Sequence, residues 1–129
     1  MNRFLKQKIP TLSRVELVTY TVIIVTSAFL RLFQLGDRAM HHDESLHAFY
    51  SWQLSNGLGF VHNPMTHGPL QMELTAGIFV LLGDSDFTAR LLYALTGILL
   101  VIMPILFRDF LGRTGAILTS SLLCVSPAL

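Results

Sequence analysis

Charged residues are scarce in this sequence, and their signs nearly cancel. Lys, Arg, Asp and Glu make up 13% of the 129 residues, about half of the roughly 25% found in soluble domains. The net charge of +1 provides no basic field for nucleic acid, so we expect no nucleic-acid partner. The single cysteine, Cys124, excludes a disulfide scaffold and a zinc site built from cysteines.

Apolar residues are abundant instead, at 52%, and the mean hydropathy of +0.57 indicates a membrane protein. Three apolar runs predict membrane spans at about 17–35, 91–107 and 116–129. The first has close to the ~20 residues that a spanning helix needs. The basic N-terminus before it also fits a cleaved signal peptide, but the run is longer than the roughly 7–15 residues of a signal core and no clean small-x-small site follows, so a retained signal anchor is favoured. The third run is still apolar at Leu129, and we therefore interpret the chain as the N-terminal part of a longer protein.

The apolar segment 70–82 has two interpretations. Runs of about 10–14 residues are more often interfacial than spanning. If the segment lies on the outer surface, the basic N-terminus and the turn from Arg108 to Arg113 both fall inside, as the positive-inside bias requires. If it spans, that turn falls outside. The interfacial interpretation is favoured, and it predicts an all-α, polytopic cell-membrane protein whose first outer loop, 36–90, carries juxtamembrane helices.

This outer loop concentrates the ionisable residues. It contains all five histidines and six of the eight acidic residues, which predicts a functional site there. Asp43 opens a predicted helix that runs to Leu54 and stops at Asn56-Gly57. From spacing alone, Asp43 is either a helix N-cap or a functional carboxylate. His67, fixed in a turn rich in glycine and proline, is a candidate phosphate or metal contact, although a loop histidine often has neither role.

Four short motifs in this order resemble the start of a GT-C membrane glycosyltransferase. The resemblance is to the branch of protein O-mannosyltransferases and lipid A aminoarabinose transferases, and more closely to a prokaryotic family described as flippase-activity-associated. It covers nearly the whole chain, but only about the first quarter of such a protein. The motifs are His41-His42-Asp43-Glu44-Ser45-Leu46-His47-Ala48-Phe49-Tyr50, His67-Gly68-Pro69-Leu70, Leu82-Gly83-Asp84 and Thr88-Ala89-Arg90.

The resemblance implies a site and a reaction. Its Asp-Glu pair places the catalytic residues at Asp43 and Glu44, and we assign substrate or phosphate contacts to His42, His67 and Arg90. Gly68 stands where the family has a proline. The implied reaction moves a sugar from a polyprenyl-phosphate donor to an acceptor hydroxyl on the outer face, by inverting displacement. Membrane lipids are the other expected partner, and a divalent cation is left open.

Two other classes of protein stay open at this point. The acidic pair could bind a lipid-linked sugar without turnover, as in a non-catalytic accessory to a flippase. Five histidines could also indicate a metal or haem protein, but none lies in a predicted span, and Glu44 with His47 supplies only one Glu-x-x-His half-site where a di-iron bundle needs two. If the enzyme interpretation holds, we expect residues 1–129 alone to be inactive, because three hydrophobic segments are too few to enclose both substrates.

Overall fold

The computed structural model describes residues 12–59 and 68–126, and within these ranges all regular structure is helical. The helices are α1 (Arg14–Leu32), α2 (His42–Ser55), α3 (Pro69–Leu82), α4 (Asp86–Leu106) and α5 (Arg108–Val125). This confirms the all-α class. The chain divides into two compact units, one made of residues 1–31 and 95–129 and the other of residues 32–94.

Two of the described helices, α1 and α4, are long and apolar enough to cross a membrane. Their 19 and 21 residues correspond to about 28 and 32 Å at 1.5 Å per residue, against a hydrocarbon core of ~30 Å. The 14 residues of α3 reach only about 21 Å. The third predicted span, 116–129, overlaps the end of α5, and its last three positions lie outside the described residues.

In the first unit, an ion pair joins the beginnings of α1 and α5. Glu16 and Ser13 form a reciprocal cap at the start of α1, with Ser13 N donating to Glu16 Oε2 at 2.9 Å. The other oxygen, Glu16 Oε1, accepts from Arg108 Nη2 at 2.7 Å and from Nε at 3.0 Å. Both partners are more than nine-tenths buried, so removing either one would leave an uncompensated buried charge.

Arg31 makes a second connection between the same two helices, near their C-terminal ends. Its guanidinium donates to Leu123 O at 2.8 Å and to Cys124 O at 3.2 Å, two carbonyls of the last turn of α5, which lack helical partners. Gly97 of α4 leaves room for it, since an added Cβ would lie 2.7 Å from Arg31 Nε. The N-terminal end of α1 is therefore joined to the N-terminal end of α5, and the C-terminal ends are joined likewise. The two helices run parallel.

In the second unit, α2 and α3 pack against each other. The helical period of the sequence places one face of α3 in the interior. After α2, Asn56 caps the C-terminus of the helix and Gly57 follows with a φ of 71°. This is a left-handed conformation that favours glycine. This confirms the predicted stop of α2. The buried residues of α3 are Met72, Thr75, Ala76 and Phe79.

Candidate functional site

Helix α2 begins at His42, one residue before the start at Asp43 that the sequence predicted. His41 is the N-cap, and its Nδ1 accepts a hydrogen bond from Asp43 N at 3.5 Å. Glu44 completes a capping box by accepting from His41 N at 3.1 Å. The alternative that Asp43 is the N-cap is therefore wrong: the residue lies in the first helical turn, where the helix dipole favours a negative side chain.

Glu44 has a second bond that links α2 to α4. Its Oε2 atom, which caps His41, also accepts from Arg90 Nη2 at 2.9 Å. The hydrogen bond from Arg90 lowers the pKa of Glu44 below its ordinary value, with a smaller contribution from His41 N and against the opposing effect of burial. Glu44 therefore carries a negative charge at neutral pH and does not act there as a proton donor.

Arg90 holds the turn that precedes α2 as well as α2 itself. Its Nη1 donates to Leu35 O and to Arg38 O, each at 2.9 Å. The residue is only 8% exposed, and a planar guanidinium is suited to several fixed acceptors at once. The turn also lies close to α4, because a Cβ added at Gly36 would lie 3.3 Å from Phe87 N. Arg90 thus fixes the backbone on both sides of residues 39–43.

Asp43 and His42 are exposed like Glu44, but their side chains lie outside this network. Both lie in the first turn of α2. Within the described ranges, no hydrogen bond or ion pair engages the Asp43 carboxylate. Its backbone is fixed by the cap and by the neighbouring Glu44–Arg90 pair, while its carboxylate stays accessible. A general base must reach the proton that it removes, and an accessible carboxylate on a fixed backbone meets this requirement of access.

A small cavity of about 10 Å³, lined by both polar and apolar side chains, lies beside the Glu44–Arg90 pair, and its volume is close to what one water molecule needs. Thr75 lines it, is 2% exposed, and has no partner for Oγ1 among the described residues. Nearby, Gln71 Nε2 donates to the Tyr93 hydroxyl. Sequence reasoning assigned no site role to this cluster, although Gln71 and Thr75, at i and i+4 in a mostly apolar helix that also contains Glu73, are a usable signal. The cavity is lined by Met40, Glu44, His47, Ala48, Gln71, Thr75, Ala89, Arg90 and Tyr93.

The structure thus brings together four of the five site residues predicted from sequence. Asp43, Glu44 and His42 share one helical turn, and Arg90 joins them through Glu44. His67 lies outside the described residues, so its predicted role is untested. Within the described part of the chain, no three His, Cys, Asp or Glu side chains converge in a way that could hold a metal ion.

Comparison with known proteins found no family model, no curated protein and no solved structure that matches this chain. The chemistry of the site is therefore argued from its own residues. They offer an accessible carboxylate, a second carboxylate held in its charged form, and a buried guanidinium that holds this second carboxylate. The accessible carboxylate of Asp43 is the proton acceptor that this arrangement presents to a ligand.

Proposed function

We propose that the chain is part of a membrane glycosyltransferase of GT-C type, which uses a sugar carried on polyprenyl phosphate. The observation that carries the proposal is Asp43, an accessible carboxylate on a backbone fixed by the capping box and by the Glu44–Arg90 pair. Three features follow one another along the sequence in the order that the resemblance requires: the acidic pair, then the turn containing His67, and then Arg90. This order supports the proposal.

In the proposed reaction, Asp43 acts on the acceptor. Its carboxylate orients an acceptor hydroxyl and takes the proton as the oxygen attacks the anomeric carbon of the sugar. The bond between that carbon and the lipid phosphate breaks on the opposite face, so the configuration inverts. A positioned base of this kind contributes about 10²–10⁴ in rate.

Glu44 and Arg90 serve as positioning residues in this proposal. Arg90 uses three hydrogen bonds to hold the backbone before α2 and the carboxylate of Glu44. Direct contacts of Arg90, His42 and His67 with the leaving phosphate stay predictions, and a role for a divalent cation stays open.

The proposed site lies on the outer face of the cell membrane, in a multi-pass protein. The parallel course of α1 and α5 supports this topology. If α4 is the only crossing between α1 and α5, the two helices run in the same direction; if α3 also spanned, they would run in opposite directions. The short length of α3 favours the same interpretation, with α2 and α3 at the interface.

The test compares turnover with binding in the full-length protein, reconstituted in lipid nanodiscs. A polyprenyl-phosphate sugar labelled in the sugar is added with candidate acceptors, and release of the lipid phosphate is followed over time. We expect release that depends on the acceptor and a product of inverted anomeric configuration. Stoichiometric binding without release would contradict the enzyme proposal and support a non-catalytic accessory that binds lipid-linked sugar.

A further inference from the structure

A groove with a volume of about 320 Å³ opens on the second unit, in the range of small-ligand sites. Two parallel aromatic rings contribute to its lining: the ring centroids of Phe49 and Trp52 lie 6.4 Å apart at an angle of 22°. Asp84 and Asp86 contribute two carboxylates at the start of α4. The proposed sugar transfer uses none of these four residues.

The charge of this groove favours a positively charged ligand. Both aspartates are exposed, and no hydrogen bond or ion pair engages either carboxylate within residues 12–59 and 68–126. Among the described residues that line the groove, none is basic. An anionic ligand would meet two like charges, whereas a cation would be attracted by the carboxylates and by the aromatic rings.

We propose that this groove binds the primary ammonium headgroup of a membrane phospholipid, as in phosphatidylethanolamine. A primary ammonium has three N–H donors, and the groove offers the carboxylates of Asp84 and Asp86 as acceptors. Ser45 Oγ can accept a third bond, because its own hydrogen is donated to His42 O at 2.7 Å. A quaternary ammonium has no N–H donor and would use only the rings and the net charge.

The surroundings of the groove favour a lipid over a soluble amine. The chain from Val80 to Leu82 leads directly to Asp84, and its three apolar side chains are 69%, 81% and 64% exposed. Phe79, in the floor of the groove, is buried. Acyl chains could therefore lie along the end of α3 while the headgroup enters the groove. Two of the described helices are apolar enough to cross a membrane, which would bring lipid within reach.

The lone tryptophan provides a direct readout. Trp52 is the only tryptophan in the sequence and lies in the groove, so its fluorescence reports on occupancy. The purified chain in nonionic detergent is titrated with short-chain phosphatidylethanolamine, phosphatidylcholine and phosphatidylglycerol of equal chain length. We expect a saturable change with phosphatidylethanolamine, binding weaker by about tenfold with phosphatidylcholine, the equivalent of one charge-assisted hydrogen bond, and none with phosphatidylglycerol.

Near-isosteric variants test the carboxylates. Asp84→Asn and Asp86→Asn should each weaken phosphatidylethanolamine binding by about tenfold, whereas Asp109→Asn, which changes an exposed aspartate in α5, should not. Far-ultraviolet circular dichroism checks that each variant keeps its helix content, and the comparison of lipids on the unaltered chain needs no variant. Equal responses to the three lipids, or insensitivity to both substitutions, would overturn the proposal. An equal response to free ethanolamine would overturn the lipid as its source.

Discussion

Arg90→Met should detach the turn at residues 35–38 from the start of α2. In the native protein, Arg90 Nη1 donates to Leu35 O and Arg38 O, and Nη2 donates to Glu44, all at 2.9 Å. The methionine side chain matches the arginine side chain as far as Nε and has no hydrogen-bond donor. The substitution removes three hydrogen bonds at once and keeps most of the packing of the aliphatic stem.

The size of the effect follows from the exposure of each partner. A hydrogen bond from a charged donor contributes about 1.5–3 kcal/mol when its partner is buried. The Glu44 side chain is 45% exposed, so its share is at most about 1 kcal/mol. The two carbonyls supply the remainder, and water will partly replace the lost bonds. We expect the free energy of unfolding to fall by about 2–4 kcal/mol.

Arg38→Met is the matched control. It makes the same chemical change at an exposed arginine of the same turn, whose contribution to the network comes from its backbone carbonyl. Reversible unfolding in mixed micelles should show little change for this variant, and hydrogen exchange should show faster exchange at residues 36–44 only in Arg90→Met. Equal losses in the two variants would refute the role that we give to Arg90.

The remaining predictions concern pH and topology. Because its pKa is lowered in the folded state, Glu44 stabilises the protein above its ordinary pKa, and this stabilisation is lost as the pH falls through the folded value. Glu44→Gln should therefore be less stable than wild type at pH 7 and equally stable at low pH; a constant difference would contradict this. Single cysteines at Asp37 and Thr114 of a Cys124→Ala variant should label from outside and inside, respectively; labelling of both positions from the same side would contradict the interfacial placement of α3.

The helices could be predicted because their signals are local. Length and apolar composition identify α1 and α4, and Asn56-Gly57 marks the end of α2. The two connections between α1 and α5 could not be predicted in the same way. Arg31 interrupts an apolar run and has a local partner in Ser27, but its partners in α5 are carbonyls 92 and 93 residues away along the chain, and backbone carbonyls carry no sequence signature.

The candidate site likewise has a part that the sequence predicts and a part that depends on the fold. The sequence identifies the acidic pair and Arg90 as functional candidates, but it does not distinguish which of the two carboxylates pairs with Arg90. That distinction depends on the rotation of α2 about its axis, which places Glu44 towards Arg90 and leaves the Asp43 carboxylate without a partner among the described residues. The capping role of His41 was missed because histidine is an uncommon N-cap.

The most direct test of the central claim is the turnover of Asp43→Asn in the full-length protein. Asparagine keeps the size of the side chain but removes its charge and proton affinity, so the melting temperature should barely change while turnover falls by about 10²–10⁴. Asp37→Asn, which neutralises an exposed aspartate of the preceding turn, serves as the control and should retain wild-type turnover. Near wild-type turnover in Asp43→Asn would contradict the assignment of Asp43 as the catalytic base.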